Sequence, residues 1–359
     1  MHERQLHNFL KMSKYAGERF DLTQAGGGNT SAQLDDGNML IKASGCLLSD
    51  ITDLNGYLEV NKTSVLALLD QVKSNVNLSK RKQDDLVARE IVHTIIKGAG
   101  RPSIETFLHT LLYKYTLHTH PIAVNCLTAS PSWKEKLETL FPDAAFVTYQ
   151  SPGFSLALAV KKEIDAFHQT HQQKPHICFL QNHGLIISCD DADQVIQTSE
   201  AVLKKIEQQC GINLTAFKHT NHISSLMKAK TRLNLLCFHV CDPFITESLS
   251  QHKEYFFSKP FCPDTLVYCG VVACELDFHD QQNCINEYIN KYHDAPKVII
   301  FEDNVYLMAP SIHKARQMEE LLKFHLMVLT HNNGNVTTLS DDEIHYLSNW
   351  EAEKYRQEI

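Results

Sequence analysis

The chain has 359 residues, 43% of them hydrophobic, enough to bury a substantial core and to make one large or two modest domains. A formal charge of -8 and an isoelectric point near 6.2 give no basic footprint for nucleic acid or an anionic membrane, so the expected partner is a small molecule. No apolar run reaches transmembrane length and Met1–Leu6 lacks the basic and apolar regions of a signal peptide, which makes the cytoplasm the expected address.

An N-terminal helix carrying Leu6, Phe9 and Leu10 is expected first. It leads into Ala25-Gly26-Gly27-Gly28-Asn29-Thr30-Ser31, where successive glycines allow close backbone approach to a ligand with the amides turned inward. The run lacks the GxxxxGK[ST] and GxGxxG spacings, so a nucleotide is not the expected ligand. Ile41-Lys42-Ala43-Ser44-Gly45 follows. Arg101-Pro102-Ser103-Ile104-Glu105 then opens a stretch with Phe107, Leu108, Leu111 and Leu112 at helical spacing, which predicts a helix capped by Ser103 with Glu105 in its first turn. A carboxylate there either complements the helix dipole or, beside a metal, serves as a general acid/base.

Tyr115 to Pro121 reads as a strand ended by proline. Side chains two apart on a strand share a face, so His118 and His120 can reach one ion. His183 lies in Asn182-His183-Gly184 between two apolar runs, the pattern of a tight hairpin that could present a third imidazole. Three neutral imidazoles leave a divalent metal its full charge and an open position. With 20 histidines in the chain, His-x-His alone says little; the neighbouring segments give it weight.

Asp190-Asp191-Ala192-Asp193 predicts the start of a helix through about Gln209. The polar stretch Gly211–Lys230 reads as a linker or an irregular connection, which sets expected domains at 1–220 and 221–359. Farther on, Cys237-Phe238-His239-Val240-Cys241 suggests a second metal site, but no matching ligand pair follows at structural-zinc spacing. Pro296–Met308 can be laid on Pro175–Ile187, which puts Asn304 at His183 and Val305 at Gly184, and each segment precedes a helical pattern. Either the second half is a degenerate repeat without metal, or two strand-turn-strand-helix units look alike by chance. The eleven cysteines are scattered and several lie in apolar runs, as buried thiols in a reducing compartment would.

Taken in order, Gly-Gly-Gly-Asn-Thr-Ser, Lys-Ala-Ser-Gly, Pro-Ser-Ile-Glu, His-Thr-His-Pro and Gln-Asn-His-Gly-Leu resemble the class II aldolase/adducin family, over Gly26 to about Gln209. Gly100–Glu105 and Tyr149–Phe154 look most like the aldolase portion of bifunctional rhamnulose-1-phosphate aldolase/alcohol dehydrogenases. Pro263–Leu266 and Trp350–Glu353 resemble the segment that follows it there. No GxGxxG comes after, so no dehydrogenase portion is expected.

The resemblance implies an α/β fold with α/β/α layers around a central, mostly antiparallel sheet, and a homo-oligomer. It makes His118, His120 and His183 ligands of zinc or another divalent metal, and Glu105 the catalytic acid/base. It places Asn29, Ser44, Gly45 and Ser103 at positions that hold the phosphate in sugar-phosphate members; Gly28 and Thr30 of the glycine loop are added to that substrate-binding set, and Lys42 could partly replace a missing hydroxyl with charge. Many members have a second serine where Ile104 stands. The implied reaction of carbohydrate metabolism cleaves a ketose 1-phosphate through a metal-stabilised enediolate to dihydroxyacetone phosphate and an aldehyde. The same site in the family also supports epimerisation, dehydration and decarboxylation, and adducin itself is a non-catalytic binding protein. The tyrosine that often protonates the leaving aldehyde is not identifiable among the 12 present.

Overall fold

The computed structural model describes residues 2–74 and 79–349, and the Trp350–Glu353 segment lies outside them. The chain divides between Leu214 and Thr215 into two compact units. The first runs α1 (Glu3–Gly17), β1 (Asn29–Gln33), β2 (Asn38–Lys42), β3 (Tyr57–Asn61), α2 (Lys62–Ser74), α3 (Lys80–Glu90), β4 (Ile95–Lys97), α4 (Thr106–Thr110), β5 (Tyr115–Thr119), α5 (Ile122–Thr128), α6 (Trp133–Leu140), β6 (Ala145–Val147), α7 (Phe154–His171), β7 (Ile177–Leu180), β8 (Gly184–Cys189) and α8 (Ala192–Cys210). Its sheet has the order β4-β3-β2-β1-β5-β8-β7-β6, antiparallel throughout except for the β6–β7 pair.

Strand alternation explains the layers. Leu117 of β5 and Leu185 and Ile187 of β8 turn to one face, where they pack with Phe9 and Met12 of α1, Val124 of α5 and Val202 of α8. Ile41 of β2, Leu180 of β7 and Ile186 of β8 turn to the other, against Leu69 of α2, Phe107 of α4 and Val160 of α7. β5 is central and buried along its whole length, so a polar side chain on it is held rigidly and out of bulk water.

The second unit runs α9 (Thr215–Thr231), β9 (Leu236–His239), α10 (Pro243–Gln251), α11 (Pro263–Cys269), β10 (Cys274–Glu275), α12 (Gln281–Tyr292), β11 (Val298–Phe301), β12 (Asn304–Ala309), α13 (Ile312–His331) and α14 (Asp341–Asn349). Its sheet order is β10-β11-β12-β9, with only β10–β11 parallel. That order matches β6-β7-β8-β5 of the first unit, and the chain visits the strands in the same sequence with helices in the same gaps. The second unit thus has the strand order and connectivity of the half of the first that contains β5 to α8, the arrangement a degenerate repeat would have.

Two local expectations change. Residues 211–230 are not a linker: Ile223 and Met227 of α9 are buried against Cys237, Phe301 and Tyr306, an apolar stripe that their polar neighbours mask in the sequence. The matching hairpins also differ in length by one residue. β7 maps onto β11 with an offset of 121 (177 to 298), whereas β8 maps onto β12 with an offset of 120 (184 to 304). The β7–β8 pair closes at Leu180↔Gly184 over three residues; the β11–β12 pair closes at Phe301↔Asn304 over two, Glu302 and Asp303, both with positive φ as a tight primed hairpin turn needs. Asn304 thus stands at the place of Gly184, and the position of His183 has no counterpart.

Gly184 is constrained by space rather than by backbone conformation, since a Cβ there would lie 2.2 Å from the carbonyl oxygen of Thr119. We predict that Gly184→Ala destabilises the first unit by about 1–3 kcal/mol through overpacking. Urea denaturation checks this, and an unchanged midpoint would refute it.

Candidate metal centre

His118, next to last in β5, lies on the face it shares with Asn29, its cross-strand partner on β1. Its Nδ1–H donates to the carbonyl of Leu185 at 3.0 Å, which fixes the tautomer and turns the Nε2 lone pair outward. Nε2 of His120 lies 3.1 Å away and that of His183 lies 3.3 Å away. The rings meet at steep angles, 68° and 80° to His118, so the nitrogens converge while the rings do not stack. Oε1 of Glu105 completes the group, 3.4 Å from Nε2 of His118 and 3.5 Å from Nε2 of His183. All four donor atoms lie within 4.8 Å of one another.

These separations fit a metal. A tetrahedral zinc with ligands at 2.0–2.1 Å has donor–donor edges of roughly 3.3–3.4 Å, the spacing found here. Among the described residues, no other group of three or more His, Cys, Asp or Glu side chains brings its donor atoms so close. Burial and the neighbouring His118 and His183 push the His120 imidazole down to about 3, so it is neutral at physiological pH, as a ligand must be. Burial alone would raise the Glu105 carboxyl, but the charges and hydrogen bonds of His118 and His183 hold it well below the usual carboxylate range. The same pairing raises His118 against the opposing effect of its burial.

The supports of the cluster were mostly hidden in the sequence. The backbone N–H groups of His120 and Ile122 donate to the carbonyls of Leu22 and Asp21, each at 2.9 Å. That loop is pinned by Arg19, 1% exposed, which forms ion pairs with Asp21 and Glu200. Asn125 of α5 donates to the carbonyl of His183 at 3.3 Å and steadies the hairpin turn. His109, fully buried, hydrogen-bonds through Nδ1 to the hydroxyl of Ser31 at 2.8 Å, and burial pushes it down to about 3. The opposite charges of Arg19 and Asp21, two apart, were the one sequence signal that could have flagged a support.

The expected anion contacts are gathered unevenly. Asn29 is fully buried beside His118, and neither its Oδ1 nor its Nδ2 has a hydrogen-bond partner, an amide placed as if for a ligand. Gly28 has φ +76°, and a Cβ there would meet Thr23 at 2.7 Å. At Gly27 a Cβ would come within 2.8 Å of Nδ1 of His120, so these glycines serve the packing of the histidines as well as any ligand. Ser44, exposed, donates its N–H to the carbonyl of Arg101 at 2.8 Å and so lies beside the Ser103 turn; Gly45 has φ +81° and open space around it. The predicted Ser103-capped helix is instead a turn followed by the five-residue α4: the Ser103 hydroxyl accepts from the N–H of Glu105 at 3.3 Å. Lys42, 3% exposed, donates to the carbonyls of Gly26 and Cys46 at 3.2 and 2.7 Å, tying the glycine loop to the Ser44 loop. Thr30 is not brought to the site. Alternation along β1 turns it to the opposite face, where its hydroxyl lies 2.6 Å from that of Ser13.

Residues 9–210 match the model of the Class II Aldolase and Adducin N-terminal domain. Solved structures similar to the chain include the N-terminal class II aldolase domain of a conserved protein from Thermoplasma acidophilum, at 22% identity over 56% of this chain and 92% of that one, with a TM-score of 0.45. The L-fuculose-1-phosphate aldolase of Thermus Thermophilus is similar at 14% identity over 58% and 94%, with a TM-score of 0.37. YgbL from Klebsiella pneumoniae, described as an aldolase/epimerase/decarboxylase, is similar at 15% identity over 58% and 89%, with a TM-score of 0.40. No curated protein sequence matches the chain.

We predict near-stoichiometric zinc or another divalent metal in the purified protein, lost in His118→Ala, His120→Ala and His183→Ala. Elemental analysis decides it: full metal content in all three variants would remove these residues from the ligand set.

Proposed function

Because this chain belongs to the class II aldolase and adducin family, we propose that it is a divalent-metal-dependent lyase that cleaves a ketose 1-phosphate to dihydroxyacetone phosphate and an aldehyde. The observation that carries the reading is the convergence of three imidazole nitrogens and one carboxylate oxygen within 4.8 Å around the buried His118, the other three side chains half-buried. His118, His120 and His183 would hold the metal. Bound there, a divalent cation would supply Lewis-acid stabilisation of the negative charge that develops on adjacent carbonyl and hydroxyl oxygens as the carbon–carbon bond breaks.

The chain's own groups do the rest. Glu105, ionised at neutral pH, takes the proton from the carbon next to the carbonyl in the condensation direction and returns it in cleavage. The Asn29 amide, the backbone at Gly28 and Gly45 and the hydroxyls of Ser44 and Ser103 bind the phosphate, with Lys42 holding two of these loops together and adding positive charge. Fixing the phosphate fixes which carbon–carbon bond lies over the cluster. Thr30, whose hydroxyl is on the other face of the sheet, is left out of this set.

One feature favours a second reading in which the same site epimerises, dehydrates or decarboxylates its substrate. Ile104 packs against the apolar core beside α4 and offers no hydroxyl where many sugar-phosphate members have a serine. A non-catalytic, adducin-like role is disfavoured, because a binding protein gains nothing from a half-buried carboxylate held against His118 and His183 of the cluster. We further propose a cytoplasmic homo-oligomer; that none of the eleven cysteines is in a disulfide agrees with a reducing compartment.

Incubating the metal-loaded protein with a panel of ketose 1-phosphates, with products identified by mass spectrometry, tests the reaction; release of dihydroxyacetone phosphate from none of them would overturn it. We predict that Glu105→Gln keeps metal content and thermal stability while kcat falls by roughly 10²–10⁴, with a much smaller change in KM. Turnover near that of the unaltered protein would exclude Glu105 as the acid/base.

A further inference from the structure

The repeat places a second set of reactive side chains where the first unit has its histidines. With the offset of 121 that relates β5 to β9, His118 corresponds to His239 and His120 to Cys241. The hairpin that brings His183 into the first cluster is one residue shorter in the second unit, and Asn304 at its mouth reaches the imidazole instead. Nε2 of His239 lies 3.1 Å from Oδ1 of Asn304, and Nδ1 lies 3.4 Å from Sγ of Cys241. The scaffold that presents three nitrogens in one unit presents a thiol, an imidazole and an amide in a row in the other.

The direction of each hydrogen bond follows from the surroundings. The Asn304 amide nitrogen donates to the carbonyl of Glu302 at 2.6 Å, so its oxygen faces His239 and accepts the Nε2–H. Nδ1 is therefore the unprotonated nitrogen, and its lone pair faces the thiol. The other acceptor near that sulfur, the His239 carbonyl, is farther away at 4.0 Å. The ring is held from its sides by Phe217, edge-on at 5.0 Å, and by Tyr306 at 5.2 Å. Cys241 itself is exposed. Burial lowers the His239 imidazole and keeps it neutral, and partial covering of the sulfur and the nearby Glu319 raise the Cys241 thiol, so at rest the proton stays on sulfur and the geometry alone poises the imidazole to take it. The resting pair is a neutral thiol on a neutral imidazole, in the role order of Cys–His–Asn sites.

We propose that Cys241, His239 and Asn304 form a second reactive site, in which His239 acts as base for a Cys241 thiol that adds covalently to small α,β-unsaturated carbonyl compounds. Addition rather than acyl transfer is the chemistry the surroundings allow. The first free amides of α10, which begins after the N-cap Asp242 that follows Cys241, are already taken: those of Phe244 and Ile245 donate to Asp242 at 2.9 and 3.2 Å, so they are not available to an acyl oxyanion. In the addition, Sγ forms a bond to the β-carbon and the S–H proton passes to Nδ1 of His239. The alkene electron pair moves to give an enolate, and the same proton returns from Nδ1 to quench it. No group leaves, and no oxidant or reductant is needed. The site rests on the second unit's own geometry and stands or falls apart from the lyase reading.

The test is the rate of alkylation of each cysteine by acrylamide in the full chain, read by peptide mass spectrometry, with the exposed Cys126 as internal reference. Cys241 is expected to react roughly tenfold or more faster than Cys126, a modest share of the roughly 10²–10⁴ that a positioned general base contributes. His239→Ala should bring Cys241 down to the rate of Cys126 or below while Cys126 is unchanged. His239→Gln, which can still hydrogen-bond Asn304 but has no basic nitrogen, should give the same fall and guards against a disturbed fold as its cause. A Cys241 rate no greater than that of Cys126, or one that survives both substitutions, would overturn the proposal.

Discussion

Everything in the first unit is arranged around a crowding that the protein by itself disfavours. Three imidazole nitrogens, two of them within 3.3 Å of the third, and a carboxylate oxygen share a small buried space. The lone pairs of neutral imidazoles repel one another, and among them the carboxylate of Glu105 favours a charge on His118 while burial and the neighbouring rings disfavour one on His120. The fold holds the arrangement because each ring is anchored elsewhere: His118 by the Leu185 carbonyl, His120 through its backbone on the loop that Arg19 pins, and His183 by a turn that Asn125 steadies. Such strain resisted by several independent supports is the pattern of a preorganised site.

How much of this the sequence revealed depends on how local the cause is. His118-Thr119-His120 on a strand and Asn182-His183-Gly184 in a hairpin were legible because strand alternation and turn chemistry are local rules. The meeting of these two elements was not, since it depends on β5 and β8 being neighbours although more than sixty residues separate them. Thr30 was misplaced for a related reason: membership of a motif does not say which face of β1 a residue takes, and its neighbour Asn29 took the site face. α9 was missed because its buried positions are few and spaced among polar ones.

The repeat was half legible. The strand-turn-strand patterns of the two halves can be overlaid by eye, but a gapless overlay puts Asn304 on His183 and hides the missing turn residue. Only the register shows it: Phe301 pairs with Asn304 where Leu180 pairs with Gly184. An overlay of Pro296–Met308 does not reach β9, whose place in the second sheet is that of β5, the ligand strand, in the first.

The length of one turn therefore does more than tighten a hairpin. A three-residue connection after β7 has a position that can carry a ring back over β5, and His183 occupies it. A two-residue connection after β11 consists of the two positive-φ residues that make the reversal, so the next side chain able to lean over β9 belongs to the first residue of β12. That residue is closer to the strand and must be short, and Asn304 reaches His239 with a single hydrogen bond. A third imidazole is thereby removed by geometry before any choice of residue type at the turn, and the neighbouring exchange of a histidine for Cys241 leaves too few nitrogen donors for a site like that of the first unit. The same strand order thus supports a metal-competent cluster in one unit and a thiol–imidazole pair in the other.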